Sequence, residues 1–159
     1  MKNFRNLKIG YWNFQGISER KWIRAVNAVS EAELDILFLA ETWFIDHEFN
    51  ATHPMFFVST PRILPIPAFG NNKAIIVCLV TQGTRKKISS DCETRYTVSI
   101  KINGNDIMAV YFPPSLKPDK IADHIPENSL SVLVGDINAF FGVQYGTKKI
   151  GPLARCNLF

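Results

Sequence analysis

Long apolar runs, paired cysteines and a strong excess of one charge are all missing from this sequence of 159 residues. No stretch approaches the ~20 apolar residues that a membrane-spanning helix needs, and the first residues carry cations without an apolar segment behind them. We therefore expect neither a membrane span nor a secretory signal. The chain is 47% hydrophobic and 20% charged, which excludes an acidic disordered chain, a collagen-like repeat and a coiled coil.

The cysteines offer no framework for a disulfide-rich or zinc-binding protein. There are three of them, Cys78, Cys92 and Cys156, and they are widely spaced without a C-x-x-C pair. This usage favours a reducing compartment. Cys78 lies in an apolar run, which predicts a small buried side chain.

The motifs of several other enzyme classes are also absent from the sequence. His47 and Glu48 lack the second histidine of an H-E-x-x-H zinc helix, and His53 stands six residues after His47, so both histidines are expected on the surface. The segment Gly142–Lys148 differs from the G-x-x-x-x-G-K-[ST] phosphate loop, and no G-x-S-x-G motif occurs. Zinc proteases, phosphate-loop enzymes and serine acyl transferases are excluded on these grounds.

The charge balance permits an acidic partner without identifying one. Eighteen Lys and Arg against fourteen Asp and Glu give a net charge of +4. We interpret the cation clusters as solvated faces; they are Arg20/Lys21/Arg24, Arg85/Lys86/Lys87 and Lys148/Lys149. Trp12, Trp22 and Trp43 are predicted to be core residues rather than platforms for base stacking.

The length predicts one domain that spans residues 1–159. Short apolar or alternating runs predict six strands, Leu7–Tyr11, Leu34–Ala40, Ala74–Val80, Tyr96–Ile102, Ile107–Phe112 and Leu130–Val134. Pro54–Gly70 contains four prolines and is predicted to be a surface loop.

Two helices complete the predicted fold, which is of the α/β class. Ser18 has the character of an N-cap, and Trp22, Val26 and Val29 follow at the spacing of one helical stripe. A shorter helix is predicted over Pro118–Ile125. The order strand, helix, strand at the start predicts a parallel pair, whereas the turn composition of residues 103–106 predicts an antiparallel hairpin, so the sheet is mixed.

Polar residues follow the predicted strands at their carboxyl ends. Asn13 ends the first strand and Glu41 directly follows the second. Tyr111 comes near the end of the hairpin's second strand, and Asp136 and Asn138 follow the last strand. Because sites in α/β sheets form at the carboxyl ends of strands, we expect these five side chains to share one cleft.

Two of these residues carry the carboxylates that a divalent cation requires. Glu41 and Asp136, among neutral polar groups, suit Mg²⁺, which prefers oxygen ligands and keeps several waters. Asn13 and Asn138 are weaker indicators singly, because asparagine often ends a strand for reasons of turn geometry alone.

Four segments in order resemble the endonuclease/exonuclease/phosphatase superfamily, and they extend over nearly the whole chain. They are Lys8–Gly16 (KIGYWNFQG), Asp35–Trp43 (DILFLAETW), Val110–Ser115 (VYFPPS) and Val134–Ala139 (VGDINA). The Glu-Thr-Trp and Tyr-x-Pro-Pro forms are most similar to the apurinic-endonuclease-like domain at the amino end of non-LTR retrotransposon polyproteins, which also carry a reverse transcriptase.

The resemblance implies a sandwich of two mixed β-sheets flanked by helices and a hydrolase that depends on Mg²⁺ or Mn²⁺. It implies that Glu41 binds the metal and that Asn13 beside it orients metal or phosphate. Tyr111 is then expected to hydrogen bond the phosphate, Asp136 to align or deprotonate the attacking water, and Asn138 to steady that water. Arg95 also matches a family position, with a structural role expected.

The sequence departs from the family pattern in its second half. A Ser-Asp-His segment that supplies a phosphate-binding histidine near the family's carboxyl terminus is absent up to Phe159. Asp123-His124 precedes the Gly-Asp-x-Asn motif and lies in the wrong place to substitute for it. We therefore expect a domain that is incomplete at its carboxyl end, with part of the second sheet missing.

The leading functional interpretation from this resemblance is metal-dependent DNA nicking of the retrotransposon type, in the nucleus. One alternative is a phosphatase or phosphodiesterase that acts on a small ligand through the same metal site. Another is a catalytically impaired module that still binds nucleic acid through Arg85–Lys87 and its neighbours. The oligomeric state and the target site stay open at this point.

Overall fold

The computed structural model describes residues 6–43, 55–59, 75–126 and 130–138. The strands are β1 (Ile9–Asn13), β2 (Ile36–Ala40), β3 (Phe56–Ser59), β4 (Val77–Val80), β5 (Ile88–Glu93), β6 (Thr97–Ile102), β7 (Asn105–Tyr111) and β8 (Leu130–Asp136). The helices are α1 (Glu19–Glu31), α2 (Gln82–Arg85) and α3 (Pro118–Ile121), and a 3₁₀ turn follows α3 at Ala122–His124. No helix in this described part is long and apolar enough to cross a bilayer.

The described strands form two mixed sheets of four strands each. The first has the order β1-β2-β4-β3, with β1 parallel to β2 and the other pairs antiparallel. The second has the order β5-β6-β7-β8, with β8 parallel to β7 and the other pairs antiparallel. Both parallel pairs direct their carboxyl ends to one edge of their sheet.

The two sheets pack face to face, and helical segments cover their outer faces. In β2, Ile36 and Phe38 join the core between the sheets, whereas Leu37 and Leu39 pack beneath α1. This alternation is the two-residue period of a strand that is buried on both faces. On the other side of the molecule, Ile121 of α3 packs on the outer face of the second sheet. The α/β class that the sequence predicts and the sandwich of two mixed sheets that the resemblance implies are both confirmed.

Helix α1 begins as its sequence predicts. Ser18 is the N-cap, and its hydroxyl accepts a hydrogen bond from the backbone N–H of Lys21. Trp22 and Val29 are buried against the first sheet, while Val26 is partly buried beside them. The amphipathic stripe therefore covers the sheet. The parallel β1/β2 pair and the β6/β7 hairpin are also as predicted, and Cys78 is fully buried.

Two strands were not predicted, for different reasons. Strand β5 is exposed at five of its six positions, so it lacks the apolar alternation that identifies a strand. Strand β3 lies within Pro54–Gly70, where a surface loop was predicted, and that prediction is wrong for Phe56–Ser59 because the prolines flank these residues and leave their N–H groups able to pair with β4. The later part of that segment lies outside the described residues.

Candidate active site

The first half of the site grows from the parallel pair β1/β2. Asn13 is the register partner of Ala40, the residue before Glu41. Backbone bonding continues past both strands, since the Gly16 N–H donates to the Glu41 carbonyl at 2.7 Å and the Ile17 N–H donates to the Thr42 carbonyl at 2.8 Å. The loops after β1 and β2 are therefore held side by side.

Asn13 and Glu41 contact each other directly. The Asn13 amide Nδ2 donates to Glu41 Oε1 at 2.8 Å, and its Oδ1 accepts from the Gln15 N–H at 3.1 Å. The amide nitrogen thus faces the carboxylate. This arrangement lets Asn13 orient Glu41, while its own place among metal ligands stays a prediction.

Tyr111 joins this pair from the second sheet. It is the register partner of Asp136 across β7 and β8, and its side chain lies close enough to Glu41 for the two groups to interact electrostatically. Burial raises the pKa of Tyr111 well above its usual range, and the interaction with Glu41 and the charge of Asp136 add to this effect. Tyr111 is therefore a protonated donor at neutral pH, close to both carboxylates.

Asp136 and Asn138 form a tight turn at the end of β8. The Asn138 N–H donates to Asp136 Oδ1 at 3.0 Å, and its side-chain Nδ2 donates to the Phe112 carbonyl at 3.0 Å. The Phe112 N–H in turn donates to the Asp136 carbonyl at 2.9 Å. These bonds hold the Asp136 side chain beside the segment that carries Tyr111.

Gly135 lets β8 approach β7 closely next to the site. Its φ of +152° is rare for residues with a side chain, and a Cβ there would lie 2.1 Å from the Val110 carbonyl oxygen. Only glycine fits this position without displacing the backbone. The Gly-Asp-x-Asn motif therefore has a steric requirement at its first residue.

Tyr11 is a site residue that the sequence analysis missed. Its hydroxyl donates to the Val110 carbonyl at 3.4 Å and accepts from the Asp136 N–H at 3.2 Å, so it links β1 to the second sheet under the site. Burial raises its pKa well above the usual range. The available signal was its spacing, because Tyr11 and Asn13 lie two residues apart and share a face of β1.

The loops around the site contain non-glycine residues in the left-handed backbone region. Gln15, Glu41, Trp43 and Asn138 have φ between +47° and +49°. Such conformations cost free energy and persist where the surroundings over-determine them, most often at functional sites. At Glu41 that support comes from its carbonyl and its carboxylate, both of which accept hydrogen bonds.

Two of the three tryptophans that were predicted to be core residues are exposed. Trp22 is 7% exposed, as predicted, but Trp12 is 39% and Trp43 is 41% exposed, so the prediction is wrong for these two. Trp43 follows Glu41 by two residues, and its ring packs where a side chain at Gly16 would lie, 3.2 Å from the position of a Cβ. The loop geometry after β2 turns Trp43 outward instead of into the core.

Arg95, Asp123 and His124 make contacts that stabilise the fold. The Arg95 guanidinium lies 5.1 Å from the centre of the Tyr96 ring. His124 packs its ring against Tyr96 and Phe112, at centroid distances of 5.2 and 5.9 Å, and Asp123 pairs with Lys120 on the surface. His47, His53, Cys156 and Lys148/Lys149 lie outside the described residues.

The donor set fits a magnesium ion. Glu41 and Asp136 provide carboxylate oxygens near Tyr111, and they are two carboxylates only, since the described ranges contain no group of three or more His, Cys, Asp or Glu side chains suited to a metal. Few protein ligands, all of them oxygen, are what Mg²⁺ uses when it keeps its own waters and takes a phosphate.

Solved structures resemble this chain over most of its length. The endonuclease domain of TRAS1, a telomere-specific non-LTR retrotransposon, matches with a TM-score of 0.57 and 16% identity, over 91% of this chain and 64% of that chain. The Neisseria 3′ phosphatase NExo, bound to a product DNA hairpin, matches with a TM-score of 0.55 and 16% identity, over 84% and 58%. The chain has the endonuclease/exonuclease/phosphatase fold.

Other comparisons define how far this likeness extends. An AP endonuclease from Archaeoglobus fulgidus shares the endonuclease/exonuclease/phosphatase fold with a TM-score of 0.54 and 16% identity, over 84% of this chain and 58% of that chain. No protein-family model and no curated protein sequence matches the chain. The chain spans less than two thirds of the length of the three solved structures. At 16% identity, the likeness to them establishes the fold alone.

Proposed function

We propose that the protein hydrolyses phosphodiesters with bound Mg²⁺ or Mn²⁺ and that its substrate is DNA, which it nicks. The observation that carries the proposal is the meeting of the two sheets at the site, where Asn13 hydrogen bonds Glu41 and Tyr111, the register partner of Asp136, lies close to both carboxylates. The shared fold supports it, since TRAS1 is a retrotransposon endonuclease and NExo was solved with a DNA hairpin.

Each residue has a chemical task under this proposal. Glu41 would hold the metal, and Asn13 orients its carboxylate. When bound, Mg²⁺ supplies positive charge that neutralises phosphate oxygens during in-line displacement. Tyr111, which stays protonated close to Glu41, is positioned to donate a hydrogen bond to a phosphate oxygen.

Asp136 is the proposed base for the attacking water. Its Oδ1 accepts the Asn138 N–H, so the carboxylate is held in place before the substrate arrives. The Asn138 side chain bonds the Phe112 carbonyl, and its contribution to steadying the water remains a prediction.

Two surface features favour a nucleic acid over a small phosphate ester. Trp43 is 41% exposed two residues after Glu41, and Trp12 is 39% exposed on β1. Exposed aromatic rings stack on unpaired bases, typically for about 1–3 kcal/mol per base. The net charge of +4 also favours a polyanion.

A plasmid-nicking assay with Mg²⁺ tests the proposal. Glu41→Gln and Asp136→Ala should each lower the nicking rate at least 10²-fold, because each removes a group needed for transition-state charge or for the nucleophile. Asp106→Asn is the matched control, since Asp106 pairs with Lys101 at the other end of β7. Equal rates in all four proteins would contradict the proposed site.

The same proteins separate the alternative functions. A folded wild type that binds plasmid without nicking it would support the impaired nucleic-acid-binding module. Hydrolysis of a small phosphodiester such as bis(p-nitrophenyl) phosphate, with no plasmid nicking, would support the small-ligand enzyme. Titration with Mn²⁺, followed by electron paramagnetic resonance, should show weaker binding in Glu41→Gln than in the wild type, and identical binding would remove Glu41 from the metal site.

A further inference from the structure

Lys21 stands apart from the solvated cation cluster that its sequence predicts. Its ammonium donates to the carbonyl oxygens of Phe14 at 2.5 Å, Gly16 at 2.9 Å and Gln15 at 3.4 Å. A lysine ammonium has three N–H donors, so three consecutive carbonyl groups use all of them. The prediction of a solvated side chain is wrong for Lys21, which instead closes the loop after β1.

The preferences of helix α1 do not explain a lysine at this position. Lys21 is the third residue after the Ser18 N-cap, where a glutamate or glutamine would complete a capping box. A cation in the first turn also meets the positive end of the helix dipole, which is unfavourable. The interaction that offsets this cost is the one with the three carbonyl groups of the preceding loop.

The loop that Lys21 closes has an unusual backbone. Gln15 and Gly16 have φ of +49° and +88°, and the carbonyl groups of residues 14–16 converge on one point. Three carbonyl dipoles that converge in this way repel one another unless a positive charge lies between them. The ammonium of Lys21 supplies that charge.

Two hydrogen-bonded routes connect this loop to Glu41. In the first, the Gln15 N–H donates to Asn13 Oδ1, which turns the Asn13 Nδ2 toward Glu41 Oε1. In the second, the Gly16 N–H donates to the Glu41 carbonyl. Displacement of the loop would therefore move both the backbone of Glu41 and the group that orients its carboxylate.

We propose that Lys21 is a positioning residue that holds the loop of residues 14–16 and thereby sets the orientation of the Glu41 carboxylate. Its effect on hydrolysis rests on the function proposed above, whereas its effect on the loop does not. A small misplacement of a catalytic group costs up to about 10²-fold in rate without a matching change in substrate binding. The loss of Lys21 should therefore lower kcat more than it raises KM.

The test compares Lys21→Met with Lys8→Met. Lys8 precedes β1, at the opposite end from Asn13, and its ammonium pairs with Glu33 on the surface, so the control removes the same charge without touching the loop. Two measurements are made on each protein, namely plasmid nicking with Mg²⁺ and hydrogen exchange of individual backbone amides. Circular dichroism checks that each variant is folded.

In Lys21→Met we expect kcat to fall 10- to 100-fold with KM within threefold of the wild type. The Gln15 and Gly16 amides should exchange at least tenfold faster, while amides of β6 and β7 keep their wild-type rates. Lys8→Met should match the wild type in every respect. If Lys21→Met does not fold, Lys21→Arg decides, because its planar fork replaces the compact ammonium and should lower kcat at least threefold and speed exchange at the same two amides.

The outcomes separate the two proposals. Faster loop exchange in a protein whose wild type does not nick DNA would support the positioning role and overturn the proposed function. Reduced kcat with unchanged loop exchange would overturn the positioning role alone. Wild-type behaviour of Lys21→Met, or of Lys21→Arg where that variant decides, would also overturn it.

Discussion

Strands β2 and β8 each deliver a carboxylate to the site, and they do so from very different surroundings. All five residues of β2 are 3% exposed or less, because the strand lies inside its sheet with α1 on one face and the second sheet on the other. Strand β8 alternates between half-buried and exposed residues at the edge of the described second sheet.

The contacts that hold the two carboxylates differ in the same way as the strands. Glu41, after β2, accepts a hydrogen bond from Asn13 of its own sheet and lies close to Tyr111 of the second sheet. Asp136, at the end of β8, relies on a local turn through Asn138 and on the Tyr11 hydroxyl beneath its backbone. The comparison indicates that the proposed metal side of the site depends on the core, whereas the proposed base depends on a few hydrogen bonds and on strand β8.

The largest expected effect contrasts the two strands directly. Phe38→Ala in β2 removes a fully buried ring and should lower the free energy of unfolding by about 3–5 kcal/mol. Leu133→Ala in β8, where the leucine is 36% exposed, should lower it by less than about 1 kcal/mol. Urea unfolding of both variants measures the difference, and similar losses would show that β8 is as well supported as β2.

A second experiment tests the close approach of β8 to β7. Gly135→Ala should cost about 3 kcal/mol, since its Cβ would clash with the Val110 carbonyl and its φ is rare for alanine. Gly83→Ala in α2 is the control, because nothing lies within 4 Å of its Cβ, and we expect a change within about 1 kcal/mol. Urea unfolding compares the two, and an equally stable Gly135→Ala protein would show that β8 can move away from β7.

A smaller effect is expected where Tyr11 links the two sides. Tyr11→Phe removes a hydroxyl that bonds the Val110 carbonyl and the Asp136 N–H, and should cost about 1–2 kcal/mol because a partly buried N–H loses its partner. The nicking rate should fall further than the change in the folded fraction accounts for, since the backbone of Asp136 loses its hydrogen bond to Tyr11. Thermal unfolding and nicking of this one variant test the coupling.

The smallest expected effect is confined to alkaline pH, where the free energy of unfolding should decrease. Burial raises the pKa of Tyr11 and Tyr111 above the ordinary 10.0, so above pH 10 the folded state retains protons that the unfolded state loses. The free energy of unfolding should be unaffected by these groups below pH 10 and should decrease as the pH rises beyond it. Between pH 9 and 11, the free energy of unfolding, measured by urea titration, should decrease less in Tyr11→Phe than in the wild type. Parallel pH dependences in the two proteins would contradict this.

Local pattern was sufficient for part of the fold. Buried runs identified β2 and β7, and the Ser18 cap with its apolar stripe identified α1, because burial and capping leave a periodic trace in the chain. Strand β5 left no such trace, since five of its residues are exposed and its pairing with β6 depends on backbone bonds that any sequence can make.

What the sequence by itself determined is the α/β class and the set of polar residues at strand ends, since both follow from periodicities of two and 3.6 residues. Only the tertiary structure decided how those residues meet: that Tyr111 reaches Glu41 from the other sheet, that Tyr11 lies under Asp136, and that Lys21 turns back to three carbonyl groups. The physical reason is distance along the chain and backbone direction. Contacts between sheets join residues up to 125 positions apart. Every residue also carries a backbone carbonyl group, so residue type does not reveal which carbonyl groups accept a hydrogen bond from a lysine.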